Sequence, residues 1–200
     1  MQSIYFVDSN FTYESSKKSI LSIRYATDGF SFCVHDETGK LVVFVHEPYA
    51  ADSREAAVAR LKNYVVNDAI LNLRFKKVYI MPCFKEKLLV PGAFFDKANI
   101  TTLYTVNQEV SPDDTILYHH IEGIEAYLVE TVISSFHDFV REHFPVFQIV
   151  NGAYPFILGA MGKALRDTEQ IFLDIQDNYF DLLFIRDSGI QLFNTFSYKA

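Results

Sequence analysis

Two hundred residues with a net charge of −7, half of them hydrophobic and 22% charged, describe a chain that folds around a sizeable apolar core. The acidic balance excludes broad binding to a nucleic-acid backbone, which draws its affinity from clustered Lys and Arg. No window approaches the roughly 20 apolar residues of a membrane span, and the N-terminal MQSIYFVDSNFTYESSKK lacks the charged start, apolar stretch and cleavage site of a secretory signal. The expectation is a cytoplasmic protein without nucleic acid or membrane insertion. Phe (19) and Tyr (12) are abundant and Trp is absent, so rings fill the core and some reach a contact surface. Cys33 and Cys83 lie in strand-like hydrophobic runs and are expected as free core thiols.

Residues 1–18 are polar and mixed, and read as an extended, partly ordered arm. Ser19 to Tyr25, Phe30 to His35 and Leu41 to His46 then carry the Val, Ile, Phe and Tyr that suit a pleated surface. Asp36 to Lys40 forms a hairpin turn with Gly39 available for a positive backbone angle. A three-stranded antiparallel meander follows from this order. Asp52 and Glu55 give a reciprocal capping pattern, and Ala57, Leu61, Tyr64 and Val65 recur at helical spacing to about residue 71. Phe75 to Met81 is a compact strand stopped by Pro82.

From Cys83 to Glu130 the pattern weakens, and residues 84–130 read as an insert in which Thr101 to Val106 and Thr115 to His120 are strands. Glu125 to Glu130 resumes a strand, and Val132, Phe136, Phe139 and Val140 mark a helix ended by Pro145. Phe147 to Val150 is a short strand, and Asn151 and Gly152 lead into a helix from Tyr154 to Arg166. Three strands close the chain at Ile171 to Ile175, Tyr179 to Arg186 and Ile190 to Ser197. The element order of residues 19–46 thus recurs at 171–197, which implies two related halves, with the second one short.

This order, with the hairpins LSIRYATDGFSFCVHD and FLDIQDNYFDLLFIRDSGIQLFNTFSY, resembles the actin-like ATPase fold, a duplicated ribonuclease-H-like α/β unit with mixed sheets. It is similar to the type IV pilus assembly ATPase-like protein and the cell-division actin homologue, and more narrowly to a bacterial family of unknown function, number thirty-eight twenty-two of its series. The resemblance implies an arm at 1–18, a first half at 19–168 and the start of a truncated second half at 169–200.

It also implies two phosphate loops, each with an acid to orient magnesium and glycines to let backbone N–H groups approach oxygen. In the first, Leu21-Ser22-Ile23-Arg24-Tyr25-Ala26, Arg24 stands at the acidic position and Ser22 and Ala26 at the glycine positions, with Asp28 further round the turn. In the second, the acid survives as Asp174, Gln176 replaces a glycine, and Asp177 and Asp181 follow. A guanidinium cannot ligate magnesium, and carboxylates without a cation repel a triphosphate.

No catalytic or metal residue is therefore assigned, and Arg24, Asp28, Asp174, Gln176 and Asp177 are degenerate cofactor positions. The expected function is a non-catalytic actin-like scaffold or protein-interaction module, working through edge strands and aromatics around Phe94 and Phe95, with a protein partner or a homo-oligomer. The alternative is an ATP- and magnesium-dependent ATPase or phosphotransferase using Asp174 and Arg24.

Other constellations read as structural. A ribonuclease-H-like nuclease needs converging acids that Phe75 to Met81 lacks. Adjacent His119 and His120 point to opposite faces of a strand and read as a polar sheet edge. Asp138 and Arg141 form an exposed helical ion pair, and Gly159 and Gly162 read as a close-packing face of the helix at 154–166.

Overall fold

The computed structural model describes residues 2–199, and its contacts group them into two compact units. The first unit comprises residues up to Phe84 together with Val132–Val150; the second comprises Lys85–Thr131 and Asn151 onward.

The first unit is built on a six-stranded mixed sheet, in the order β1-β4-β3-β2-β5-β9. Its centre is the meander β2 (Ile20–Ala26), β3 (Gly29–His35) and β4 (Leu41–Pro48), whose alternation buries Leu21, Ile23, Tyr25, Phe30, Phe32, Val34, Val43 and Val45. Gly29 makes the first turn possible: its φ is +147°, and a Cβ there would lie 2.7 Å from the Glu47 carbonyl oxygen. In the second turn Asp36 Oδ1 accepts from the backbone N–H groups of Thr38 and Lys40, and Gly39 takes φ +82°. β5 (Lys77–Pro82) pairs parallel with β2, and β9 (Phe147–Ile149) parallel with β5. Helix α2 (Arg54–Asn67) buries Ala57, Val58, Leu61 and Val65, and its Tyr64 ring meets Phe30 at 4.4 Å. In α4 (Ser134–His143), Phe136 packs 5.0 Å from Tyr25.

Two local expectations change here. The N-terminal residues are not a loose arm: Ile4–Val7 forms β1, antiparallel to β4, and Tyr13–Ser16 forms the one-turn helix α1. The strand holds because β4 offers an edge, and Lys40 reaches Asp8 at 2.7 Å to fasten its end. The cap of α2 is Ser53, whose hydroxyl accepts from the Ala56 N–H at 3.1 Å, one residue later than the Asp52 expected. The exposed Asp138–Arg141 pair forms as expected at 3.0 Å, and Cys33 and Cys83 are half-buried thiols outside any disulfide.

The second unit contains two three-stranded sheets. One has the order β6-β8-β7, from β6 (Lys87–Pro91), β8 (Ala126–Ile133) and β7 (Asp114–His120); the other is the meander β10 (Glu169–Ile175), β11 (Tyr179–Arg186) and β12 (Gly189–Ser197). α5 (Ala153–Lys163) presses Ile157 and Ala160 into a core with Ile121, Leu128, Leu183 and Ile185.

The segment read as a strand at 101–106 is instead helix α3 (Ile100–Thr105). β-branched threonines suggested a strand, but Ile100, Leu103 and Tyr104 stand at helical spacing and pack on Val90 and Val129. Tyr104 is fully buried and its hydroxyl donates to the Glu86 carbonyl at 3.0 Å. Gly159 and Gly162 are not a close-packing face: a Cβ at either would meet no atom within 4 Å.

Candidate functional site

The two loops expected to handle phosphate lie in different units, and each is described on its own. In the first, the Arg24 guanidinium meets Asp28 two-pronged, Nη1 to Oδ1 at 3.3 Å and Nη2 to Oδ2 at 3.4 Å, with both side chains mostly buried. Ser22 sits opposite Cys33, and Ala26 opposite Gly29, so both expected glycine positions are ordinary strand positions in the β2–β3 ladder.

In the second loop Asp174 of β10 stands opposite Asp181 of β11, which stands opposite Thr195 of β12. Gln176 donates through Nε2 to Asp174 Oδ1 at 3.0 Å, and Asp177 is exposed in the turn. Asp181 is buried, accepts from Thr195 Oγ1 at 2.6 Å, and pairs with Lys87 Nζ at 2.8 Å. Lys87 also lies over the Tyr179 ring, 4.8 Å from its centroid. Burial pushes the Asp181 carboxyl up, and the Lys87 ammonium and Thr195 hydroxyl pull it part of the way back.

The cluster continues into the other sheet of the same unit. Glu130 of β8 stands opposite Lys87 of β6 and is 1% exposed. Its Oε2 accepts from Asn151 Nδ2 at 3.2 Å, and Asn151 Oδ1 in turn accepts from the Ala153 N–H at the start of α5. Desolvation raises the Glu130 pKa to about 8, so the carboxyl holds its proton at neutral pH. Glu130 Oε1 lies 3.7 Å from His119 Nε2, too far for a hydrogen bond; among the described residues neither atom has a partner. Burial also lowers the His119 pKa, so the two face each other as neutral groups. His120 turns away, with its ring 5.1 Å from Tyr127.

Chemically, this arrangement holds one ammonium against the buried Asp181 carboxylate, with the protonated Glu130 carboxyl across the β6–β8 ladder from it. Among the described residues no group of three or more His, Cys, Asp or Glu side chains is placed to hold a metal ion. Asp181 and His119 were visible as chemistry-bearing residues in the sequence, but Lys87, Glu130 and Asn151 were not singled out. The signal was present in KLLVP and YLVETVI, where a charge interrupts an apolar run.

The meander followed by helix and parallel strand, recurring as a second meander, defines the class: an α/β protein with the actin-like ATPase fold. It is similar to a Bacteroides thetaiotaomicron protein with that fold and unknown function, at 22% identity and TM-score 0.87, over 95% of this chain and 74% of that one. It is also similar to a chain of the PilM–PilN type IV pilus biogenesis complex, at 13% identity and TM-score 0.53, covering 90% of this chain and 62% of that one. No curated protein matches the sequence. The chain belongs to the family described as Protein of unknown function (DUF3822), which matches residues 8–200.

Proposed function

We propose that this chain is a non-catalytic actin-like interaction module that binds a protein partner and does not turn over ATP. The observation that carries this reading is the Arg24–Asp28 pair at 3.3 Å. On the correspondence that the resemblance implies, Arg24 stands as a cation where magnesium handling calls for an anion, and the contact engages the neighbouring carboxylate as well. The second loop supports the same reading, since Gln176 occupies Asp174, and Lys87 is turned into Asp181. A phosphate cradle instead needs donors aimed outward and backbone stripped of side chains.

Protein binding is supported by Phe94, which is 73% exposed beside β6, whereas Phe95 is stacked on Tyr127 at 3.7 Å and belongs to the fold. The PilM-containing neighbour, itself seen in a complex with another protein, accords with it. Among the described residues no helix is long and apolar enough to cross a membrane.

Calorimetric titration with magnesium and ATP tests the proposal. The expected result is no heat and no thermal shift. Micromolar binding that Asp174→Ala abolishes would overturn the scaffold-only reading.

A further inference from the structure

We propose that a cavity beside the second unit's core is a binding site for a small apolar molecule bearing one protonated amine. The second unit's core is formed by Ile157, Leu183 and Ile185 with Ile121 and Leu128. Leu89, Ile124, Met161, Ile190 and Phe193 each pack on that core and also line a cavity of about 540 Å³, within the roughly 300–1,000 Å³ range of small-molecule sites. The cavity therefore shares an apolar wall with the core.

Its frame is fixed by backbone. Two hairpin turns flank the mouth, one with Gly123 at φ +83° and the other with Asp187 and Ser188 at φ +51° and +63°. The Gly92 N–H donates to the Glu125 carbonyl at 2.7 Å, and a Cβ on Gly92 would crowd that oxygen at 3.2 Å. This contact pins Glu125 to the end of β6.

The electrostatics select the ligand. Glu125 is exposed and is the acid lining the cavity, Ser188 and Gln191 add neutral hydrogen-bonding groups, and among the described residues no Lys, Arg or His lines it. An anion entering here finds no counter-charge. An apolar body fills the pocket, and an ammonium at its end reaches the one carboxylate. The site uses none of the Lys87–Asp181 or Glu130–His119 groups, so it stands whether or not the protein-partner reading survives.

The test uses the whole chain labelled with carbon-13 at its methionine methyls. Met161 lines the cavity, and Met81, on β5 in the first unit, is the control. Phenylbutylamine, phenylbutanol and phenylbutyrate are titrated in turn. The expected result is a saturable shift at Met161 alone, about fivefold tighter for the amine than for the alcohol, as suits a partly exposed ion pair. Glu125→Gln, at an exposed position that leaves folding intact, brings amine and alcohol to equal affinity. Absence of a saturable Met161 shift, equal or better binding of the carboxylate, or an amine preference that persists in Glu125→Gln each overturns the proposal.

Discussion

Lys87 Nζ and Asp181 Oδ1 stand 2.8 Å apart with side chains only 1% and 3% exposed, so the ion pair is sealed from water. Such a pair contributes little net stability over a well-packed apolar replacement, yet breaking it from one side is costly. Lys87→Met alone should therefore destabilise the protein by about 3–5 kcal/mol, and Lys87→Met with Asp181→Leu should recover most of that loss. Urea unfolding of both variants measures it. A single variant as stable as the parent would show that the pair does not hold the interior.

Glu130 gives the stability a pH dependence of defined sign. Its pKa in the fold is about 8, against an ordinary 4.5, so between those values the unfolded chain has released a proton that the folded chain retains. Its contribution is full below the lower value and disappears as pH rises through the upper one. His119, held below its usual 6.5 by burial, acts oppositely: its contribution is full above 6.5 and is lost as pH falls from there through its lowered value in the fold. Glu130→Gln keeps the shape and removes the titration. We expect it to stabilise the protein by about 1–3 kcal/mol at pH 8 and hardly at all at pH 5. Denaturant midpoints at the two pH values decide the matter, and an unchanged slope in the variant would assign the titration to another group.

Three glycines separate backbone necessity from backbone waste. Gly29→Ala forces a Cβ against the Glu47 carbonyl at a left-handed φ and should cost about 2 kcal/mol or more. Gly159→Ala adds a methyl in open space inside α5 and should stabilise by about 0.5–1 kcal/mol, with Gly162→Ala gaining less because it lies at the helix end. Thermal melts rank the three. Loss of stability in Gly159→Ala would reinstate the close-packing role that its spacing first suggested.

Phe94 and Phe95 are neighbours with different tasks. Phe95→Ala removes a ring stacked 3.7 Å from Tyr127 and should cost about 1–3 kcal/mol, whereas Phe94→Ala should stay within about 0.5 kcal/mol. In affinity capture with the intact chain, Phe94→Ala should be the variant that folds normally and retains less partner. Full retention would move the contact surface elsewhere.

What the sequence disclosed follows from how local each signal is. Both meanders were legible because alternation at a period of two, punctuated by turn residues, is written in consecutive positions. α3 was misread because Thr101, Thr102 and Thr105 speak for a strand locally, while the burial of Tyr104 decides for a helix. β1 was missed for a similar reason, since four residues become a strand only when β4 supplies a partner some forty positions away. Of the polar cluster, Asp174 and Asp181 are legible as acids on successive strands of one hairpin, and the register then sets them opposite each other. Their link to Lys87 and Glu130 joins residues about ninety and fifty positions apart, and nothing in one dimension encodes that meeting.

The pairing of Ile4–Val7 with β4 also sets an order of assembly. This rim strand cannot dock until the third strand of the first meander has emerged, so during synthesis Ile4–Val7 waits, tethered and apolar, while the sheet it will border is made. Once β4 is made and until Ile4–Val7 docks, β4 presents a bare ladder, and a fusion partner that delays this docking would leave that ladder open to strands of other nascent chains.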